Sequence, residues 1–141
     1  MSQPIIADTS GLYALVNRKD PQHHRAATFL NSLAPGQALA GSQLVISNHI
    51  FDETMTLTKA RLGTAVALQL GLRLRNSRFV KMVIFDAAQE QALWRVFFQY
   101  SDKAWSYTDC ACLVLAQEVE TSLTFSFDHH FSQMGLTRLP H

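Results

Sequence analysis

Ile5-Ile6-Ala7-Asp8-Thr9-Ser10 is the stretch whose reading decides the fold. Three apolar residues run directly into a carboxylate and two hydroxyls, and a helix-like pattern follows from Ser10 to Asn17. A short apolar run of this kind fits a strand buried on both faces, as in a parallel sheet covered by helices. Asp8 then stands at its carboxyl tip, where open α/β sheets place their ligand crevice. Two roles are open to it: an acid available for chemistry, or an N-cap for the helix that follows, a role Thr9 and Ser10 could share. Acids recurring at comparable junctions further along the chain favour chemistry.

The chain has 141 residues, 48% hydrophobic and 16% charged, with four Pro and six Gly. That length fits one domain, which would bury about 70% of the surface its unfolded form exposes. No stretch approaches the ~18 consecutive apolar residues of a membrane span, and the start lacks the layout of a secretory signal, so a cytoplasmic location with no membrane partner is expected. Cys110 and Cys112 lie two apart in a helical pattern, where they point to different sides and read as reduced packing residues. No further cysteine complements them at zinc spacing. The adjacent pairs His23-His24 and His129-His130 read as surface or junction residues.

Strand and helix patterns alternate along the chain. Gln43 to Ile46 reads as a second strand and Ser47 as the cap of a helix containing Glu53, which Gly63 breaks. A helix over Thr64 to Arg75 precedes a strand over Arg78 to Phe85. Asp86 caps a helix whose Trp94, Phe97 and Phe98 are expected in the core. Thr108 and Asp109 open another helix, Leu123 to Phe127 forms a strand, and Leu136 to Leu139 adds a last one. The class is α/β, with a mainly parallel central sheet flanked by helices and no interior domain boundary.

In such a sheet Asp8, Glu53, Asp109 and Asp128 come to the same rim. Carboxylates at close range repel, and a hard divalent cation removes the conflict; all-oxygen ligation points to Mg²⁺ or Mn²⁺ rather than zinc. Such an ion can activate water and neutralise the developing charge of a phosphodiester. Phosphodiester hydrolysis is the matching chemistry. The net charge of +1 does not by itself indicate nucleic acid. Between Glu53 and Asp86, however, there is no acid, while Lys59, Arg61, Arg73, Arg75, Arg78 and Lys81 all fall there. They form either a phosphate-binding surface or a solvated helix face with a charged edge strand.

Asp8-Thr9-Ser10, Glu53-Thr54, Ser106-Tyr107-Thr108-Asp109-Cys110 and the run from Leu123 through Asp128-His129-His130-Phe131 resemble, in order, the four sequence blocks of PIN-domain ribonucleases, and most closely the VapC-type toxins of bacterial toxin–antitoxin pairs. The likeness spans nearly the whole chain. It implies that Asp8, Glu53, Asp109 and Asp128 bind the metal and that Thr9 and Ser106 assist, with either Ser106 or Thr108 capping the helix of Asp109. It implies an Mg²⁺-dependent endoribonuclease with RNA as substrate, a cognate antitoxin as partner, and a homodimer. The basic run from Lys59 to Lys81 would carry part of the RNA through its phosphates. The alternative is a catalytically inactive PIN-like module that binds RNA or protein, against which the retained acids argue.

Overall fold

A computed structural model describes residues 3–141, in which five strands form one parallel sheet. The strands are β1 (Pro4–Ala7), β2 (Gln43–Ser47), β3 (Val80–Val83), β4 (Leu123–Phe125) and β5 (Thr137–Leu139), in the order β3-β2-β1-β4-β5. Every pairing is parallel, with Ile6 opposite Val45 on one side and Thr124 on the other. The expected class is therefore found, and the sheet is parallel throughout. The helices are α1 (Thr9–Val16), α2 (His23–Asn31), α3 (Asn48–Leu62), α4 (Thr64–Asn76), α5 (Ala87–Gln99), α6 (Tyr107–Glu118) and a single turn, α7 (His130–Gln133).

The apolar run at the head of the chain is central because it is covered on both faces. Ile5, Ile6 and Ala7 are fully buried, as are Ile46 of β2 and Phe125 of β4. Phe125 stacks on Phe29 of α2 with ring centroids 4.4 Å apart. Gly11 of α1 lies against the same ring and against the carbonyl of Phe125, so closely that a Cβ at position 11 would sit 2.8 Å from that oxygen. Helix α6 is buried almost along its whole length, and it carries Cys110 and Cys112 as free, buried thiols, in agreement with the packing role expected for them.

Two expectations are corrected. The strand expected over Arg78 to Phe85 shortens to Val80–Val83, because the amide of Phe85 is taken by the side chain of Asn48 at 2.9 Å. The aromatic residues of α5 are not core: Trp94, Phe97 and Phe98 are 55%, 37% and 71% exposed, and only Leu93 of that helix is buried. A run of large apolar residues does not say which face of a helix is covered, and here the covered stripe is narrow. In α4, likewise, Leu70 and Leu74 are buried one turn apart while Leu68 and Leu72 face outward.

Because β1, β2 and β4 all point the same way, the residues that follow each of them emerge along one edge of the sheet. Asp8 follows β1, α3 with Glu53 in its second turn follows β2, and Ser126 to Asp128 follow β4. This edge is where the sequence placed the acids.

Candidate active site

Asp8 caps α1 and is buried. Its Oδ2 accepts from the Ser10 amide (3.2 Å), the Ser10 hydroxyl (2.7 Å) and the Ser126 hydroxyl (3.0 Å). Of the two roles considered for Asp8, the cap is the one observed. Burial pushes its pKa from 3.8 up to about 6; the hydrogen bonds from Ser10 and Ser126 act against the rise and the nearby Asp109 carboxylate adds to it. The two serines that hold Asp8 also receive the chain beyond β4, since the amide of Phe127 donates to Ser10 Oγ and that of Asp128 to Ser126 Oγ, both at 3.0 Å.

Asp109 lies in the first turn of α6. Ser106 is the cap: its hydroxyl accepts from the Asp109 amide, and Asp109 Oδ2 accepts from the Ser106 amide, each at 3.0 Å. The choice between Ser106 and Thr108 is settled for Ser106. The hydroxyl of Thr9 is engaged in a buried bond of 3.2 Å with Thr54, which joins the neighbour of Asp8 to the neighbour of Glu53. Asp52, by contrast, is exposed and accepts from Thr56 on its own helix.

The thiol pKa of Cys112 is pushed well above the usual value, first by burial and then by the charges of Asp8, Asp109 and Glu53. Among the described residues none of the three pairs with a lysine or arginine. Asp8 and Asp109 are buried like charges, which are costly without a cation, and their oxygen donors fit a hard divalent ion.

Asp128 joins the group through His130, which the sequence reading left among surface or junction residues. His130 Nδ1 lies 3.2 Å from Asp109 Oδ2 and 3.3 Å from Asp128 Oδ1, and the His130 amide donates to Asp128 Oδ1 at 2.9 Å. The side chain is only 19% exposed, whereas that of His129 is 72% exposed. Asp128, His129 and His130 each offer a ligand atom, all within 4.8 Å of one another. Ser10, Ser126 and His130 are the site residues that the sequence reading did not single out. The signal available was their spacing, two residues from an acid in each case.

The six basic residues do not assemble into one surface at this edge. Lys59 and Arg61 stand in the last turn of α3, with the Arg61 guanidinium 5.7 Å from the ring of Tyr13. Arg75 lies over Phe51, and Arg73 borders an apolar groove with Leu12, Leu15 and Leu74. Arg78 precedes β3 and lines a cavity with Gly41, Ser42 and Gln43 at the amino ends of the strands, opposite the acids. Lys81 faces Pro4, Gln43 and Val119.

The PIN domain model matches residues 5–136. The chain belongs to the PIN domain family. Among its relatives, this PIN domain is 26% identical over 135 residues to the 23S rRNA-specific endonuclease VapC20 of Mycobacterium tuberculosis, covering 96% of this chain and 97% of that protein. It is 28% identical over 128 residues to a VapC ribonuclease of Archaeoglobus fulgidus, covering 90% and 78%. The crystal structure of M. tuberculosis VapC20, described as a sarcin–ricin loop cleaving toxin, superposes with a TM-score of 0.83 over 94% of this chain and 96% of that one. VapBC-1 of nontypeable Haemophilus influenzae, 12% identical over 96% of each chain, shares the fold with a TM-score of 0.64. No helix of this PIN domain among the described residues is long and apolar enough to cross a membrane.

Proposed function

We propose that this PIN domain is a divalent-metal-dependent endoribonuclease acting as the toxin of a toxin–antitoxin pair, with Asp8, Glu53 and Asp109 holding Mg²⁺ or Mn²⁺ and Asp128 completing the set. One observation carries the reading: Ser126 binds both the Asp8 carboxylate and the Asp128 amide while His130 touches both Asp109 and Asp128, which ties together acids from three separate elements, none of them paired with a lysine or arginine among the described residues. A bound cation there supplies charge neutralisation and an activated water at the scissile phosphodiester. The chain's own residues do the placing. Ser10 and Ser126 fix the oxygen of Asp8, Ser106 fixes Asp109, and His130 spans Asp109 and Asp128. Thr9 acts through its bond to Thr54, as a strut between α1 and α3. Ser106 acts as a cap.

VapC20 is described as specific for 23S rRNA and as cleaving the sarcin–ricin loop, which makes that RNA the first substrate to try. The toxin reading brings with it an antitoxin partner, and the likeness to VapC-type toxins a homodimer, which the sedimentation coefficient of the purified protein tests. Purified protein should bind Mg²⁺ or Mn²⁺ in calorimetric titration and cleave RNA only with the ion present; Asp8→Asn should lose both. An Asp8→Asn protein that cuts as fast as the parent would remove the mechanism. No binding of either ion at millimolar concentration would favour the non-cutting RNA- or protein-binding module.

A further inference from the structure

A second feature lies one residue beyond the acid network. Phe127, whose amide donates to Ser10 Oγ, is flanked by two guanidinium groups. Arg25, in the first turns of α2, lies over its ring at 5.5 Å. Arg138, in β5, donates from Nη1 to its carbonyl oxygen at 3.3 Å. Both arginines line a cavity of about 400 Å³, together with Ser126, Ser132, Thr137 and Pro140. Ser126 is the hydroxyl that also holds Asp8, so one side chain borders both the cavity and the acid site.

Neither arginine is paired with an acidic side chain among the described residues. Arg138 Nε donates to the Ser132 hydroxyl at 3.0 Å. Arg25 donates to the side chain of Gln22, to the carbonyl of Pro140 and to an oxygen of His141. These bonds aim the two planar groups. Two oriented guanidiniums, neither of them paired with an acidic side chain, present beside one cavity the donor geometry that phosphate oxygens accept.

We propose that this cavity is a backbone-phosphate subsite: Arg25 and Arg138 hold an RNA phosphate neighbouring the one that is cut, and so set the strand's register over the acids. The assignment rests on the nuclease reading and deepens it. It also moves the principal RNA contact from the dispersed Lys59–Lys81 run to the β4–β5 side of the site. RNA is favoured over an acidic peptide because Ser126 both lines the cavity and holds the Asp8 carboxylate, so a strand gripped in the cavity lies next to the acids.

The test is fluorescence anisotropy of a short labelled single-stranded oligouridylate, titrated with protein in EDTA over a range of salt, so that neither metal nor cleavage enters. Arg25→Gln, on an exposed position of α2, should weaken binding about tenfold, the scale of a lost charge-assisted contact. The slope of log affinity against log salt should fall by about 0.7, the value for one phosphate on a single strand. Arg25→Lys should keep the slope. Arg138→Gln should behave like Arg25→Gln, with thermal melting reporting any loss of fold from its missing bond to the Phe127 carbonyl. If Arg25→Gln binds within about twofold of the parent with an unchanged slope while the parent still binds and cuts RNA, the subsite is refuted and the nuclease reading stands. An acidic peptide as the natural occupant would give that same result. A parent that neither binds nor cuts RNA overturns both.

Discussion

Replacing Asp8 by Asn should make the metal-free protein more stable at neutral pH while destroying its response to metal. Asp8 is held up at a pKa of about 6 against an ordinary 3.8, chiefly by burial. A rise of that size corresponds to about 3 kcal/mol of disfavoured charge in the folded state. The folded value lies above the unfolded one, so the folded protein prefers the neutral acid. Below about pH 4 the acid is neutral in both states and costs nothing; the penalty grows between about pH 4 and 6 and is complete above. Asparagine is neutral throughout, and its carbonyl can accept from Ser10 and Ser126 as the carboxylate does. Some of the gain is offset by its new amide hydrogens, leaving about 2 kcal/mol in favour of the variant. The measurement is urea unfolding in EDTA, followed by tryptophan fluorescence, at about pH 7.5 and again at about pH 4. Mg²⁺ should then stabilise the parent by mass action, about 2.7 kcal/mol at a hundred times its Kd, and leave the variant unmoved. A variant equal to or weaker than its parent at neutral pH without metal refutes the account of Asp8 as a carboxylate strained by burial.

His130→Ala should lower metal affinity or cleavage by about 10- to 100-fold, the usual cost of losing a side chain that orients ligands, with the melting temperature little changed. Calorimetric titration and a cleavage assay read it. Gly11→Ala should cost about 1–3 kcal/mol in urea unfolding, because the added methyl meets the Phe125 carbonyl at 2.8 Å and the backbone cannot yield cheaply. Phe125→Ala, at a fully buried ring stacked on Phe29, should cost about 3–5 kcal/mol in the same assay. Phe98→Ser, on the outward face of α5, should change stability by no more than about 0.5 kcal/mol, since little of that ring is covered within the chain.

What the sequence could show followed from its local patterns. The apolar run ending in Asp8 has one sensible reading, because three consecutive apolar residues need cover on both sides. The caps Asp8, Ser47 and Asp86 were legible for the same reason: each precedes a helical pattern and satisfies its first amides from its own side chain. The α5 aromatics misled because burial is decided by neighbours far away in the chain, and the size of a side chain carries no information about them. Contiguity in sequence between Lys59 and Lys81 likewise carries no information about a shared surface, since the run spans the end of α3, all of α4 and the start of β3. His130 was hidden because its role needs two partners, one of them 21 residues earlier.

The end of β4 shows why fold and site cannot be separated here. The apolar pattern Leu123 to Phe127 would continue the strand two residues further, and the Ser126 amide still donates to the Leu139 carbonyl of β5, but the next two amides are diverted. Phe127 donates to the Ser10 hydroxyl and Asp128 to the Ser126 hydroxyl. The last two acceptors are the hydroxyls that hold the Asp8 carboxylate. A serine-to-alanine change at 126 would therefore release the Asp128 amide and remove one of the bonds that lowers the Asp8 pKa. Both acids would be disturbed by one lost oxygen. Ser126→Ala should consequently shift the midpoint of the pH-dependent stability loss upward relative to the parent in EDTA, and weaken metal binding more than Thr9→Val does. Equal metal affinities in the two variants would show that the hydroxyl ends the strand without tuning the acids.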